Sequence, residues 1–140
     1  MNGLSDAGIV RALVEASKDG VKVDIVCRGI CTLRPKVPEV SDNIRVISVL
    51  GRFLEHSRIY RFENAGSPEY FIGSADLRPR NLTRRVELLA PVSDEKHHRE
   101  LDRILSVYVE DPTGWELAAD GTYHQRKVEG PSAQSVLMSS

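Results

Sequence analysis

Val21 to Cys27 reads VKVDIVC, a β-branched run bounded by Gly20 and Gly29, and one glycine separates it from an amphipathic stripe. That stripe predicts a helix over 5–19. Ser5 or Asp6 can cap it, Ile9, Leu13 and Ala16 with Val10, Val14 and Ser17 form its apolar face, and Gly20 stops it. The length and composition of VKVDIVC argue for a buried strand. A helix that hands over to a strand through a one-residue stop is the mark of an α/β layer.

The remaining chain keeps to that plan. Residues 28–43 hold Pro35, Pro38 and a Ser-Asp-Asn cluster, so they form a loop beyond the strand's carboxyl end. IRVISVL at 44–50 has apolar residues on both faces, as an internal strand covered by helices requires. Residues 58–62 and 70–74 read as paired strands around ENAGSPE, a loop of turn formers. Pro79 argues against a smooth helix in the arginine-rich stretch after Asp76, and TRRVELLAPV then reads as a strand. Ser93 is expected to cap a helix of about sixteen residues with Leu101, Ile104, Leu105 and Tyr108 as its stripe, ended by Pro112 and Gly114. Adjacent His97 and His98 lack the i, i+3 or i, i+4 spacing of paired ligands and read as solvated. Asp120-Gly121 marks a hairpin that leaves His124 exposed. Residues 1–128 are thus expected to form one domain, and 129–140, without period or bulk, a disordered tail.

Composition supports a single soluble domain: 140 residues, 41% apolar and 28% charged. No apolar run approaches the roughly 18 residues a bilayer span needs, and no export signal opens the chain. Cys27 and Cys31 have no second Cys/His pair at zinc-like spacing, so they read as reduced thiols. The net charge of −1 conceals a division. Residues 28–85 carry eleven Lys/Arg against six Asp/Glu, and ten of the eleven are arginine. This favours bidentate phosphate recognition. A nucleic acid is disfavoured, because the lysine-rich, aromatic-interleaved pattern of a strand-binding groove is missing.

The chemistry concentrates in GRFLEHSRIYRFENAGSPEYFIGSADLRPRN, residues 51–81. His56 and Arg58, two apart on what reads as an extended strand, share a face where imidazole and guanidinium can meet one phosphoryl group. Gly73 and Ser74 are expected to offer free N–H groups to an oxyanion. Arg28, beyond a strand end with Gly29 beside it, is a natural phosphate contact, the bland alternative being a solvated loop arginine. Arg85 and Glu87 would lie on one side of their strand, so that Glu87 could orient a histidine. For His56 the chemistry leaves nucleophile, acid and simple donor open, beside a hydrogen-bonded core histidine.

The order H-x-R, G-S-x-D, R-N resembles the H-x-K…G-S-x-N signature of the phospholipase D superfamily, with Arg58 in the lysine position and Asp76 in place of asparagine. RGICTLRP at 28–35, NIRVISVLGRFLEHSRIY at 43–60, YFIGSADLRPRNLTRRVE at 70–87 and WELAADGTYHQR at 115–126 together resemble the C-terminal domain of the bacterial polyphosphate kinase family. The resemblance implies a phospholipase D-like α/β fold, a mixed sheet flanked by helices that lacks its first strand. It implies part of an enzyme that reversibly transfers the terminal phosphate of ATP to polyphosphate through a phosphohistidine in a preceding domain. Arg28 and His56 match nucleotide-contacting positions. Arg58 and Arg85 carry over as phosphate-facing guanidiniums and Glu87 as the carboxylate that orients imidazole. Magnesium and adenine contacts are implied upstream, so the chain alone is expected not to make polyphosphate. Its open sheet edge would invite a second copy. The implied partners are ATP, ADP, polyphosphate and the upstream domains; the implied setting is the cytoplasm, with membrane association of the full-length enzyme left open. Two rivals remain: a phosphodiesterase with His56 as nucleophile, and a non-catalytic polyphosphate-binding module.

Overall fold

The computed structural model describes residues 1–139. Asp6 caps α1 (Ala7–Lys18) by accepting from the Gly8 and Ile9 N–H groups at 2.9 and 3.0 Å, and Gly20 closes the element at φ 86°. Then follow β1 (Val23–Val26), β2 (Ile44–Ser48), β3 (Ile59–Phe62), β4 (Glu69–Gly73), α2 (Pro79–Thr83), β5 (Leu89–Pro91), α3 (Glu95–Val109), β6 (Trp115–Leu117), β7 (Tyr123–Gln125) and α4 (Ala133–Met138).

The strands make two sheets. One is mixed, in the order β1-β2-β6-β7, with β1 and β2 parallel and the other pairs antiparallel; the other is antiparallel, β3-β4-β5. Strand β2 is internal and buried on both faces, as its sequence requires. Ile44 and Val46 join Leu4, Ile25, Cys27 and Leu33 under Ile9, Val10 and Leu13 of α1, whereas Ile47 and Val49 pack with Ala133 of α4 and Val107 and Tyr108 of α3. The second sheet is tied to α3 through Tyr70, whose hydroxyl donates to Asp102 at 2.8 Å while Arg61 Nε donates to the same carboxylate at 2.8 Å.

The first residues join the two sheets. The Met1 amino group donates to the Val26 carbonyl at 2.9 Å, Gly29 N–H donates to Asn2 at 3.0 Å, and Leu4 bridges both Cys31 and Leu77. Strand β1 is consequently an edge strand, not the fully enclosed one its composition suggested. Val23 and Cys27 direct their N–H groups to β2, so Asp24 and Val26 direct theirs outward. Beyond that edge lies a groove of about 650 Å³ whose opposite wall is β3, with Val23, Asp24, Ile25, Tyr60, Arg61 and Phe62 in its lining.

Several expectations are corrected. Pro79 opens α2 instead of preventing a helix, because at the first helical position its missing N–H has no intrahelical partner to lose. The strand expected across 83–92 shrinks to Leu89–Pro91, and Val86 is fully exposed. Asp94, not Ser93, caps α3. His98 is no solvated side chain: its Nε2 lies 2.6 Å from the Val92 carbonyl and its ring stacks on Tyr70 at 4.3 Å. His124 is exposed on the β6–β7 hairpin, as expected. The tail expected to be disordered over 129–140 forms α4 within its described part, with Ala133 and Gln134 buried. Its period escaped notice because the helix is only six residues long. Among the described residues no helix is long and apolar enough to cross a membrane.

Candidate functional site

His56 and Arg58 do meet, though on a coil that precedes β3 and not on a strand. Arg58 Nη1 lies 2.7 Å from His56 Nδ1 and 2.7 Å from the His56 carbonyl oxygen. The same Nη1 stands 3.3 Å from Nε2, so one guanidinium nitrogen lies against both ring nitrogens, and because a guanidinium only donates, the ring nitrogen that carries the lone pair accepts from it. The ring is exposed and faces a shallow groove of about 540 Å³, lined also by Ser57, Arg58, Gly73, Ser74 and Leu88.

Behind the ring stands a carboxylate that the sequence reading did not assign. Arg58 Nε and Nη2 reach the two oxygens of Asp76 at 3.2 and 3.3 Å, and Asn2 N–H donates to Asp76 Oδ1 at 2.8 Å. Both side chains of the pair are withdrawn from water, at 10% exposure for Arg58 and 6% for Asp76. Burial alone would raise the Asp76 carboxyl; the Asn2 N–H and the Arg58 guanidinium outweigh it and hold the group below its ordinary value. The Asn2 side chain continues the chain of contacts, its Oδ1 accepting from Arg28 Nε and Nη2 at 3.0 and 2.8 Å. Arg28 is therefore linked to His56 through Asn2, Asp76 and Arg58. It opens into a smaller cavity of about 90 Å³, and Ser57 and Ile59 line both that cavity and the groove beside His56.

Glu87 is held elsewhere. Its carboxylate accepts from the Ser74 hydroxyl and, at 2.7 Å, from Asn81 Nδ2, and Arg85 Nε stands 3.5 Å away. The Ser74 hydroxyl first, then the Asn81 amide, keeps Glu87 below the usual carboxylate range. Arg58 is the group that contacts the imidazole, in the place where the sequence suggested Glu87. Arg85 is mostly exposed, at 58%, beyond its ion pair with Glu87. The expected oxyanion turn is corrected as well: Gly73 N–H donates to Arg58 O at 3.1 Å and Ser74 N–H to Leu88 O at 3.0 Å, so neither amide is free. Gly73 serves close packing instead, since a Cβ there would run into the Leu88 carbonyl.

The polar residues missed by sequence reasoning are Asn2, Asp76 and Asn81. Asp76 had signalled itself only as a departure from an expected asparagine. The buried Asn2 Nδ2 and Asn81 Oδ1 have no hydrogen-bond partner among the described residues, which marks this as a site whose polar groups are incompletely matched internally. Cys27 and Cys31 are free thiols, and the neighbouring Cys31 lowers Cys27 against the opposing effect of burial. Among the described residues no group of three or more His, Cys, Asp or Glu side chains is arranged to hold a metal ion.

An imidazole and guanidiniums at one groove, backed by the buried Asp76 carboxylate, can offer N–H donors and positive charge to a phosphoryl group. Residues 1–136 match the family model described as "Polyphosphate kinase C-terminal domain 2". The chain is 53% identical over 143 residues to "Polyphosphate kinase" of Thermosynechococcus vestitus, covering 99% of this chain and 20% of that protein. It is 51% identical over 126 residues to "Polyphosphate kinase" of Dictyostelium discoideum, covering 90% of this chain and 12% of that one. The crystal structure of polyphosphate kinase from Porphyromonas gingivalis superposes with a TM-score of 0.92 at 38% identity, over 98% of this chain and 22% of that chain. This chain thus spans about a fifth or less of the length of these relatives. On the family match across nearly its whole length and on these identities, the chain belongs to the polyphosphate kinase family and corresponds to its second C-terminal domain.

Proposed function

We propose that this chain forms one wall of the active site of a polyphosphate kinase that reversibly moves the terminal phosphoryl group of ATP to polyphosphate. In the forward direction a histidine nitrogen of an upstream domain would attack the γ-phosphorus, forming an N–P bond as the bond to ADP breaks. A terminal polyphosphate oxygen would then attack the same phosphorus and release the histidine. Phosphoryl transfer requires positioning and charge compensation more than covalent chemistry from the surrounding protein. His56 would supply a ring N–H donor, and Arg28, Arg58 and Arg85 would supply positive charge. Glu87, held by Ser74 and Asn81, would set the reach of Arg85. Magnesium ligands and adenine contacts would lie outside these residues. A nucleotide substrate and reduced thiols fit a cytoplasmic setting.

The observation that carries the reading is the contact of Arg58 with His56 Nδ1 over a buried Asp76, because it presents a ring N–H and a cation together at an open groove. The test is a titration of the chain with tripolyphosphate and, separately, with an unhydrolysable ATP analogue, following the His56 ring by NMR at rising salt. Saturable ring shifts that weaken with salt are expected; a ring unmoved at millimolar ligand refutes the site. In the full-length enzyme His56→Ala should lower kcat/KM by about 10²–10⁴ if the ring takes part in proton transfer. Full activity of that variant would leave the domain only a binding role.

A further inference from the structure

The loop that carries His56 has little regular structure of its own: residues 49–58 lie outside every helix and strand. What holds it comes from the far end of the chain. Gln134 of α4 is 7% exposed, and its amide pairs with the main chain of Phe53, accepting from Phe53 N–H at 3.0 Å and donating Nε2–H to the Phe53 carbonyl at 2.8 Å. The same Nε2 donates to Glu55 Oε1 at 2.7 Å. Only one orientation of a primary amide satisfies all three partners, so the side chain reads the backbone as a neighbouring strand would. The other oxygen of Glu55 accepts from the Tyr108 hydroxyl of α3 at 2.5 Å. Two helices therefore converge on the residue immediately before His56.

The clip is anchored. Ala133 is buried at 1% beside Ile47 and Val49, and its N–H donates at 3.1 Å to Asp111 Oδ2, itself 1% exposed. Gly51 completes the fit, because a Cβ there would occupy the space of Gln134 Oε1. A loop with so few bonds of its own would sample many conformations without these contacts.

We propose that Gln134 is a positioning residue for His56: through Phe53 and Glu55 it fixes the loop so that the imidazole stands over Arg58 at the groove. This rests on the phosphate-site reading above. Hydrogen exchange is followed on the complete 140-residue chain, together with the His56 ring signals, in the wild type and in Gln134→Met and Gln134→Ala. Methionine keeps the length and the apolar stem while removing donor and acceptor. In the Met variant the Phe53 amide should exchange at least about ten times faster, the His56 ring should shift or broaden, and Val46 and Ile47 should keep their protection. Half-saturation of the ring shift by tripolyphosphate should require at least about three times more ligand, the sign of a loop to be ordered on binding.

Unchanged Phe53 exchange overturns the proposal. So does parallel loss of protection at Val46 and Ile47 in both variants, because Gln134 would then support the fold and not the loop. If tripolyphosphate leaves the wild-type ring unmoved, the phosphate-site reading falls, and the Phe53 and ring measurements without ligand still decide the clip.

Discussion

Asp76 supports the site through Arg58, and the physics of a buried ion pair says what its loss does. Removing one partner leaves the other charge without compensation in a poorly solvated place, at a cost of about 3–5 kcal/mol. Asp76→Ala should therefore destabilise the chain on that scale in urea unfolding. Glu15→Ala, which removes the exposed partner of Lys18, should change stability by about 1 kcal/mol or less. The pH dependence has a definite sign. Asp76 has a folded value held below its unfolded one, so its contribution is present above the unfolded value and disappears as pH falls through the folded value. The stability gap between wild type and Asp76→Ala should be constant above about pH 4 and close on further acidification. A gap that persists unchanged to pH 2 would show that packing, not charge, carries it.

At the level of elements, β4 and β5 approach closely because Gly73 has no Cβ to meet the Leu88 carbonyl, and the same approach lets Ser74 receive Leu88 N–H at 3.1 Å. Gly73→Ala must push the strand ends apart and should cost about 1–3 kcal/mol, read as a lowered Tm. Because Ser74 also binds Glu87, the shift should weaken tripolyphosphate binding more than a surface change of equal stability would. Elements account as well for what pattern reading lost. The tail became α4 because two buried residues, Ala133 and Gln134, are enough when each finds a partner already in place. The segment 84–88 left the sheet because Glu87 turns to Ser74 and Asn81, contacts with no signature in periodicity.

Across the whole molecule, the β1 and β3 edges face each other over a groove, with Asp24 N–H directed into it. Unpaired strand edges recruit strands, so the isolated chain should self-associate as concentration rises in sedimentation velocity. Asp24→Pro removes the outward N–H and spares the backbone hydrogen bonds between β1 and β2, and with Asp24→Asn as the control for the lost 2.7 Å contact to Arg45 it should shift the equilibrium back toward monomer. A strict monomer at high concentration would sink this expectation.

The alternation of one amphipathic helix with a β-branched strand, the two-sided burial of 44–50 and the turn formers at 63–69 and 120–121 were enough, alone, to determine an α/β chain with the β3–β4 and β6–β7 hairpins; the division into two sheets and the remaining pairings came only with the tertiary structure. Local periodicity encodes such elements because burial of one face or two is a property of neighbouring residues. The four motif strings determined the family, and the spacing of His56 and Arg58 determined that imidazole and guanidinium would meet. Partners distant in sequence were decided only by tertiary structure. Asp76 lies 18 residues from Arg58, Asn2 74 from Asp76, and Gln134 81 from Phe53. A polar side chain carries no mark of its distant acceptor until the chain closes around both, which is why Arg58 took the place beside His56 that sequence had offered to Glu87.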